Sequence, residues 1–399
     1  MKFLKFYINR FMIFFLFFIS FSNIIFAQNN TPTINARYAI VLDRKSNSIL
    51  FGKNEKVKAK MASTTKIMTA IIVLENSNLD DIVTISKKAS SIRGSRLGLK
   101  ENDKISVHDL LYGLLLKSGN DCAIALAEHV GGDIKNFCEL MNSKAKNLNL
   151  NNTNFESPHG LDSEKHYTSA YELALLTNYA LNNPTFMQIV GTKFFKVKVN
   201  DSTIDIKNSN ELLGYLDGIY GVKTGFTNGA NRCLVAAYNK NNFDIITVVL
   251  GCDNKKNRSS DTINLINYIE NSYINFNVND FIEEHFFFWK KDNIKNIKIN
   301  KSKENNLFID FTKNNYDSIP IKKESIDNLK LEIDMPYNFN SPINANTNIG
   351  NLRLISNNNI IYNSNIYVLY DVPKKSFIDY ILELFSSFDF LFNDISVYK

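Results

Sequence analysis

The sequence predicts an α+β protein: one large mixed domain, a small β-rich domain after it, and a helix at the end. Three observations carry this. Strand-like runs stand at both ends of residues 31–280 with helix-periodic segments between them, the layout of a single mixed domain. After about residue 280 the apolar pattern drops to period two, and from Ser376 it returns to helical spacing. The chain has 399 residues, which at ~150 residues per domain makes two to three domains. A composition of 44% hydrophobic and 22% charged residues excludes a largely disordered chain and a many-span membrane protein. The net charge of +6, with no dense Lys/Arg stripe, argues against nucleic acid as a partner.

The elements follow in order. Lys2, Lys5 and Arg10 precede an almost wholly apolar run from Phe11 to Phe26, closed by Ile25-Phe26-Ala27. Residues 1–27 therefore read as an export signal cut after Ala27. The run is short for a membrane span and no stop-transfer pattern follows it. Residues 36–43 and 48–53 read as a hairpin around the polar turn Arg44 to Asn47. Ala62 to Val73, then 106–130, 134–149 and 168–182, have apolar residues every three or four and read as helices, with a turn at Gly119. Residues 217–251 hold the two clearest strands, CLVAAY and DIITVVLG, and 259–273 closes the domain as a helix.

Residues 284–371 carry alternating runs such as Leu329 to Asp334 between Asn-rich turns and read as a small all-β domain. Pro373, Lys374 and Lys375 link it to the terminal segment, 374–396. There Phe377, Ile381, Leu384, Phe385, Phe388, Leu391 and Phe392 lie at helical spacing, opposite Asp379 and Glu383. That is an amphipathic helix suited to a membrane surface. Its polar side is acidic, so binding would rest on apolar burial. Cys122, Cys138, Cys233 and Cys252 form no C-x-x-C pair and read as ordinary buried thiols.

Three short motifs carry chemistry: Ser63-Thr64-Thr65-Lys66, Ser118-Gly119-Asn120 and Lys223-Thr224-Gly225. Each alone is weak; Ser143-Lys144-Ala145-Lys146 and Ser356-Asn357-Asn358 fit two of the same patterns. Their order and local setting give them weight. A serine hydroxyl is a poor nucleophile until a base takes its proton. At i and i+3 on a helix, Ser63 and Lys66 share a face. Lys66 can serve as the base once burial and a second cation, Lys223, lower its pKa. Ser118 and Asn120, on a turn, can relay a proton and hold an amide. Lys223 and Thr224 can bind a carboxylate. Gly225 allows close approach of a peptide backbone. The backbone N–H groups of Ser63 and Phe226 can face an oxyanion.

The stretches MASTTKIMTA, LLYGLLLKSGNDCAIALAEHVGG, NNTNFESPHGLD with KHYTSAYELALL, and DGIYGVKTGFTNGANRCLVAA resemble the low-molecular-mass penicillin-binding proteins of the D-alanyl-D-alanine carboxypeptidase family. The resemblance covers nearly the whole chain. It implies a penicillin-recognising fold of the serine β-lactamase and transpeptidase type, an antiparallel sheet flanked by helices plus a helical subdomain. It also implies attack by Ser63 on the bond between two terminal D-Ala residues of a peptidoglycan stem peptide. Lys66 would be the base, Ser118 and Lys223 the path to the leaving amine, and Asn120 the holder of the substrate amide. Arg258 would help bind the terminal carboxylate. β-Lactams would stall as acyl-enzymes, and the location would be the periplasmic face of the inner membrane. His159 and His166 would belong to loop architecture rather than to proton transfer.

Three departures remove no catalytic group: Met61, Cys122 and Asn231 stand where other residues are usual. No metal or organic cofactor is implied. The alternatives are a D,D-endopeptidase, a β-lactamase, and, more remotely, a non-catalytic β-lactam-sensing or wall-binding module. The class A deacylating Glu has no evident counterpart, which counts against the lactamase. The small β-rich domain counts against the endopeptidase.

Overall fold

The computed structural model describes residues 31–304, 306–313 and 318–385. The expected export signal lies outside the described residues, as does the terminal helix from residue 386 on. Strands β1 (Tyr38–Asp43) and β2 (Ile49–Lys53) form the expected hairpin. A 3-10 turn, Ala62–Thr65, leads into α1 (Lys66–Asn76). The short strands β3 (Ile82–Thr84) and β4 (Lys104–Ser106) pair across a segment that holds α2 (Lys87–Ser91). Helices α3 (Val107–Leu115), α4 (Asn120–Gly131), α5 (Ile134–Asn147), α6 (Ala170–Leu181) and α7 (Pro184–Gly191) follow. The hairpin β5 (Phe194–Val199) and β6 (Ser202–Lys207) precedes three long strands, β7 (Ile219–Thr227), β8 (Asn231–Lys240) and β9 (Phe243–Cys252). Helix α8 (Lys255–Ser272) comes next. It begins four residues before the expected start because Asn254 caps it, its side chain accepting from the Asn257 N–H.

The main sheet has the order β2-β1-β9-β8-β7 and is antiparallel throughout. β9 is buried along nearly its whole length, which requires cover on both faces. Ile246, Val248 and Leu250 point to the core shared with α1, α3, α4 and α6, while α8 also packs on β8 and β9. In α1 every residue from Lys66 to Val73 is buried. A helix apolar all round must lie inside other helices, and α1 is in contact with α3, α4, α5 and α6. The expected 106–130 segment is two helices. Ser118 adopts φ +64° and Gly119 becomes the N-cap of α4, which turns the chain and presents Ser118 and Asn120 at the bend.

Strand β10 (Tyr273–Asn277) and helix α9 (Val278–Asn293) open the second unit. The sequence reading assigned no helix here and began an all-β domain at residue 284. Val278, Ile282 and Phe286 are its buried apolar residues, four apart, and Asn277 caps it. The strands are β11 (Lys298–Asn300), β12 (Ile309–Phe311), β13 (Ser318–Lys322), β14 (Leu329–Asp334), β15 (Asn338–Asn340), β16 (Asn348–Ser356) and β17 (Asn359–Val368). A four-stranded sheet, β12-β17-β16-β14, supplies Leu352, Leu354, Ile366 and Val368 to a core of its own with the α9 face. The small unit is thus β-rich with one helix. Residues 377–385 are helical, with Phe377, Ile378, Leu382 and Phe385 exposed. Among the described residues no helix is long and apolar enough to cross a membrane. All four cysteines are free and buried.

Candidate active site

Ser63 sits in the 3-10 turn, one helical turn before Lys66. The Lys66 Nζ lies 2.9 Å from Ser63 Oγ, 2.7 Å from Asn120 Oδ1 and 2.9 Å from the backbone oxygen of His159. Lys66 is fully buried, and burial together with the charge of Lys223 pushes its pKa well below the ordinary lysine value. A neutral lysine has two N–H donors and one lone pair. The His159 carbonyl can only accept. Asn120 presents its oxygen because its Nδ2 donates to the Arg93 carbonyl at 2.6 Å. These two acceptors take both hydrogens, and the lone pair is left for the Ser63 hydroxyl.

The turn itself is strained. Ala62 has φ +49°, an expensive conformation for a residue with a Cβ. A chain of hydrogen bonds holds it. The Glu156 N–H donates to His166 Nδ1 at 3.0 Å, so His166 Nε2 carries the proton and donates to Thr65 Oγ1 at 2.8 Å. Thr65 Oγ1 in turn donates to the Ala62 carbonyl at 2.8 Å. Burial holds His166 at about 4 and His159 at about 3, so both rings stay neutral. His166 thus serves the loop architecture, while the His159 ring accepts from the Leu161 N–H at 3.2 Å within its own loop.

On the other side of the cleft, β7 brings Lys223, Thr224, Gly225 and Phe226 against the Ser63 turn. A Cβ on Gly225 would lie 3.2 Å from Ala62 Cβ, Met61 O and Ser63 N. The close approach that Gly225 permits is therefore to the chain's own nucleophile turn; the sequence reading had assigned it to a substrate backbone. Lys223 Nζ donates to the Thr224 carbonyl at 3.0 Å, and burial plus the charge of Arg258 lowers it to about 7. The Thr224 hydroxyl is 2.7 Å from that of Ser209. Ser118 lines the same cleft, and among the described residues no hydrogen bond joins it to Lys66 or Lys223. The cleft has a volume of about 240 Å³ and includes Ser63, Ser118, Thr224, Gly225, Phe226 and Arg258 in its lining.

Arg258 lies where it was expected, but with a different partner. It is buried on α8, and its Nη2 donates to both carboxylate oxygens of Glu211. Sequence reasoning missed Glu211, which carried no motif. It also missed Asp121, whose buried carboxylate accepts from the backbone N–H groups of Leu97, Gly98 and Leu99. That contact fixes the loop that brings Ser95 to the cleft. The SGND run contains Asp121, so a signal for it was present.

Residues 26–254 match the family described as D-alanyl-D-alanine carboxypeptidase, and residues 283–374 match the C-terminal domain of penicillin-binding protein 5. The D-alanyl-D-alanine carboxypeptidase DacF of Bacillus subtilis is 32% identical over 315 residues, 77% of this chain and 78% of its own. Penicillin binding protein 5 from Haemophilus influenzae, a crystal structure, matches with TM-score 0.70 at 27% identity, over 86% of this chain and 99% of that one. The crystal structure of the carboxypeptidase DacD from Francisella tularensis matches with TM-score 0.68 at 25% identity, over 86% and 95%. The chain therefore belongs to the D-alanyl-D-alanine carboxypeptidase family of serine peptidases, with the small C-terminal domain of penicillin-binding protein 5 behind its catalytic domain.

Proposed function

We propose that this protein removes the terminal D-Ala from peptidoglycan stem peptides that end in D-Ala-D-Ala. The single observation that carries the mechanism is the bonding of Lys66, which has only neutral acceptors besides Ser63. Neutral Lys66 takes the Ser63 proton as Oγ attacks the penultimate carbonyl carbon. The C–Oγ bond forms, and the Ser63 and Phe226 backbone N–H groups face the oxyanion. The C–N bond then breaks. The proton passes from Lys66 by way of Ser118 and Lys223 to the leaving amine, and D-Ala departs. Water adds to the ester, its proton returns through Lys66, and the shortened peptide leaves. Asn120 keeps Lys66 in place, and Lys223 and Thr224 receive the substrate's terminal carboxylate. β-Lactams follow the first half of this path and remain on Ser63.

The enzyme acts outside the cytoplasm, on the wall. We assign residues 31–280 to the catalytic domain and 284–371 to the small domain. The terminal segment from residue 374, helical from residue 377, rests on the membrane surface. The reading is tested by D-Ala release from a D-Ala-D-Ala-terminated pentapeptide, using residues 28–372 with a Ser63→Ala control. Release that vanishes in the control is expected. Folded protein without release would overturn the reading.

A further inference from the structure

The two N–H groups that face the oxyanion come from different elements. That of Ser63 belongs to the 3-10 turn before α1, and that of Phe226 to the end of β7. Their separation has to be fixed, because a donor serves an oxyanion only from about 2.7–3.1 Å. On one side Gly225 does this, packed against Met61, Ala62 and Ser63. On the other side Asp162 makes the connection. Its Oδ1 accepts from the Thr227 hydroxyl at 2.7 Å and its Oδ2 from the Gly229 N–H at 2.9 Å. Thr227 Oγ1 also accepts from the Ala230 N–H at 3.0 Å. One carboxylate therefore holds the turn between β7 and β8, which starts one residue after Phe226. The loop just before Asp162 is fastened to α1 and to the nucleophile turn. The Pro158 carbonyl accepts from Thr69 Oγ1 at 2.6 Å, the His159 carbonyl accepts from Lys66, and Gly160 lies against the Ala62 carbonyl. These contacts form a closed ring, from Ser63 through Gly160, Asp162 and Thr227 to Phe226 and Gly225, and back to Ser63. Asp162 is exposed, so the core does not need it.

We propose that Asp162 is a positioning residue: it clamps the β7–β8 turn to the loop that holds Lys66, and so sets the place of the Phe226 N–H in the oxyanion hole. This rests on the carboxypeptidase reading. Removal of one oxyanion donor costs about 100- to 1000-fold in kcat. A donor that stays in the chain but loses its fixed place costs less, about 10- to 100-fold.

The test uses the full chain and two ester analogues of a D-Ala-D-Ala peptide. One keeps the carbonyl oxygen under attack, and in the other, the thiono ester, sulfur replaces it. Sulfur is larger and a weaker hydrogen-bond acceptor, so wild type is expected to prefer the oxygen ester. Asp162→Ala should lower kcat on the oxygen ester by about 10-fold or more with KM little changed, and lower it less on the thiono ester. Asp162→Asn keeps an acceptor for the turn and should recover most of the oxygen preference. Thr227→Val removes one of the two bonds and should fall between wild type and Asp162→Ala, so the result does not hang on the folding of one variant. Oxygen preference at the wild-type level in Asp162→Ala and Thr227→Val would overturn the inference. So would equal losses on both esters, which would mark Asp162 as structural. A wild-type chain without oxygen preference would instead overturn the assignment of the oxyanion to Ser63 and Phe226. One that releases no D-Ala from the peptide would overturn the carboxypeptidase reading, and in either case this inference goes with it.

Discussion

Replacement of Gly160 by alanine should both destabilise the catalytic domain and slow acylation of Ser63. Gly160 adopts φ +86°, where a Cβ costs about 1–2 kcal/mol. The added carbon would also lie 2.6 Å from the carbonyl carbon of Ala62 and 2.6 Å from Thr65 Oγ1. One of these is backbone, and the other is fixed by His166, so neither yields without moving the turn. Overpacking of this kind costs about 1–3 kcal/mol. The sum is about 2–5 kcal/mol. At about 2 °C per kcal/mol for a unit of roughly 250 residues, Tm should fall by about 4–10 °C.

The chemical effect is separate. The turn that must move carries Ser63, and displacement of a reacting group by about 1 Å is worth about 100-fold in rate. The assay is the second-order rate of Ser63 acylation by a fluorescent penicillin, beside a thermal melt. Gly132→Ala is the control, since Gly132 has φ +74° with nothing within 4 Å of an added Cβ. It should show the conformational cost alone and a normal acylation rate. If Gly160→Ala acylates at the wild-type rate, the argument that this contact places the nucleophile is refuted, whatever happens to Tm.

Four further outcomes are expected. Lys223 is held at about 7 by burial and by Arg258, and its protonated form attracts the carboxylate and supplies the proton. D-Ala release should therefore decline as pH rises through about 7, and Arg258→Gln, by removing a like charge, should move that limb to higher pH in a kcat/KM profile. Asp121→Asn leaves one acceptor oxygen for the loop N–H groups and should cost about 2–3 kcal/mol, with faster hydrogen exchange at residues 97–99. Leu354→Ala, in the separate small core, should cost about 2–5 kcal/mol and unfold that unit in a melt while acylation of Ser63 stays normal. Leu382→Asp combined with Phe385→Asp, both exposed on the helical segment, should abolish sedimentation of the full chain with lipid vesicles, whereas added salt should change it little.

Much of this was legible because it depends on local pattern. The hairpin, the helices and the long strands follow from the spacing of apolar residues, and the three motifs follow from what serine chemistry requires. What was not legible depends on where the chain folds back on itself. Glu211 belongs to a loop with no motif, and only the packing of α8 beside that loop gives it to Arg258. His166 and Gly160 are more than ninety residues from Ala62 in sequence, and their role is contact with one strained carbonyl. Helix α9 was obscured because its aromatic run satisfies a strand pattern as readily as a helix, and only the 278, 282, 286 spacing decides between them.

Backbone strain is distributed in a way that follows from the chemistry. Among the described residues, every non-glycine position with positive φ is an asparagine except Ala62, Ser118 and Lys301. Asparagine tolerates that region; alanine and serine pay about 1–3 kcal/mol to stay there. Ala62 precedes the nucleophile, and Ser118 is itself a cleft residue. The two lysines follow the same logic. Lys66 and Lys223 are buried without a carboxylate bonded to either, a costly arrangement that a directly bonded Asp or Glu would relieve. Such a carboxylate would stabilise the fold and hold Lys66 charged. A charged Lys66 has no lone pair for the Ser63 proton. The absence of a bonded carboxylate is thus a requirement of the base: Asp121 acts on Lys66 only through its charge, which burial and Lys223 outweigh, and the hydrogen bonds to Asn120, His159 and Thr224 hold both side chains in place.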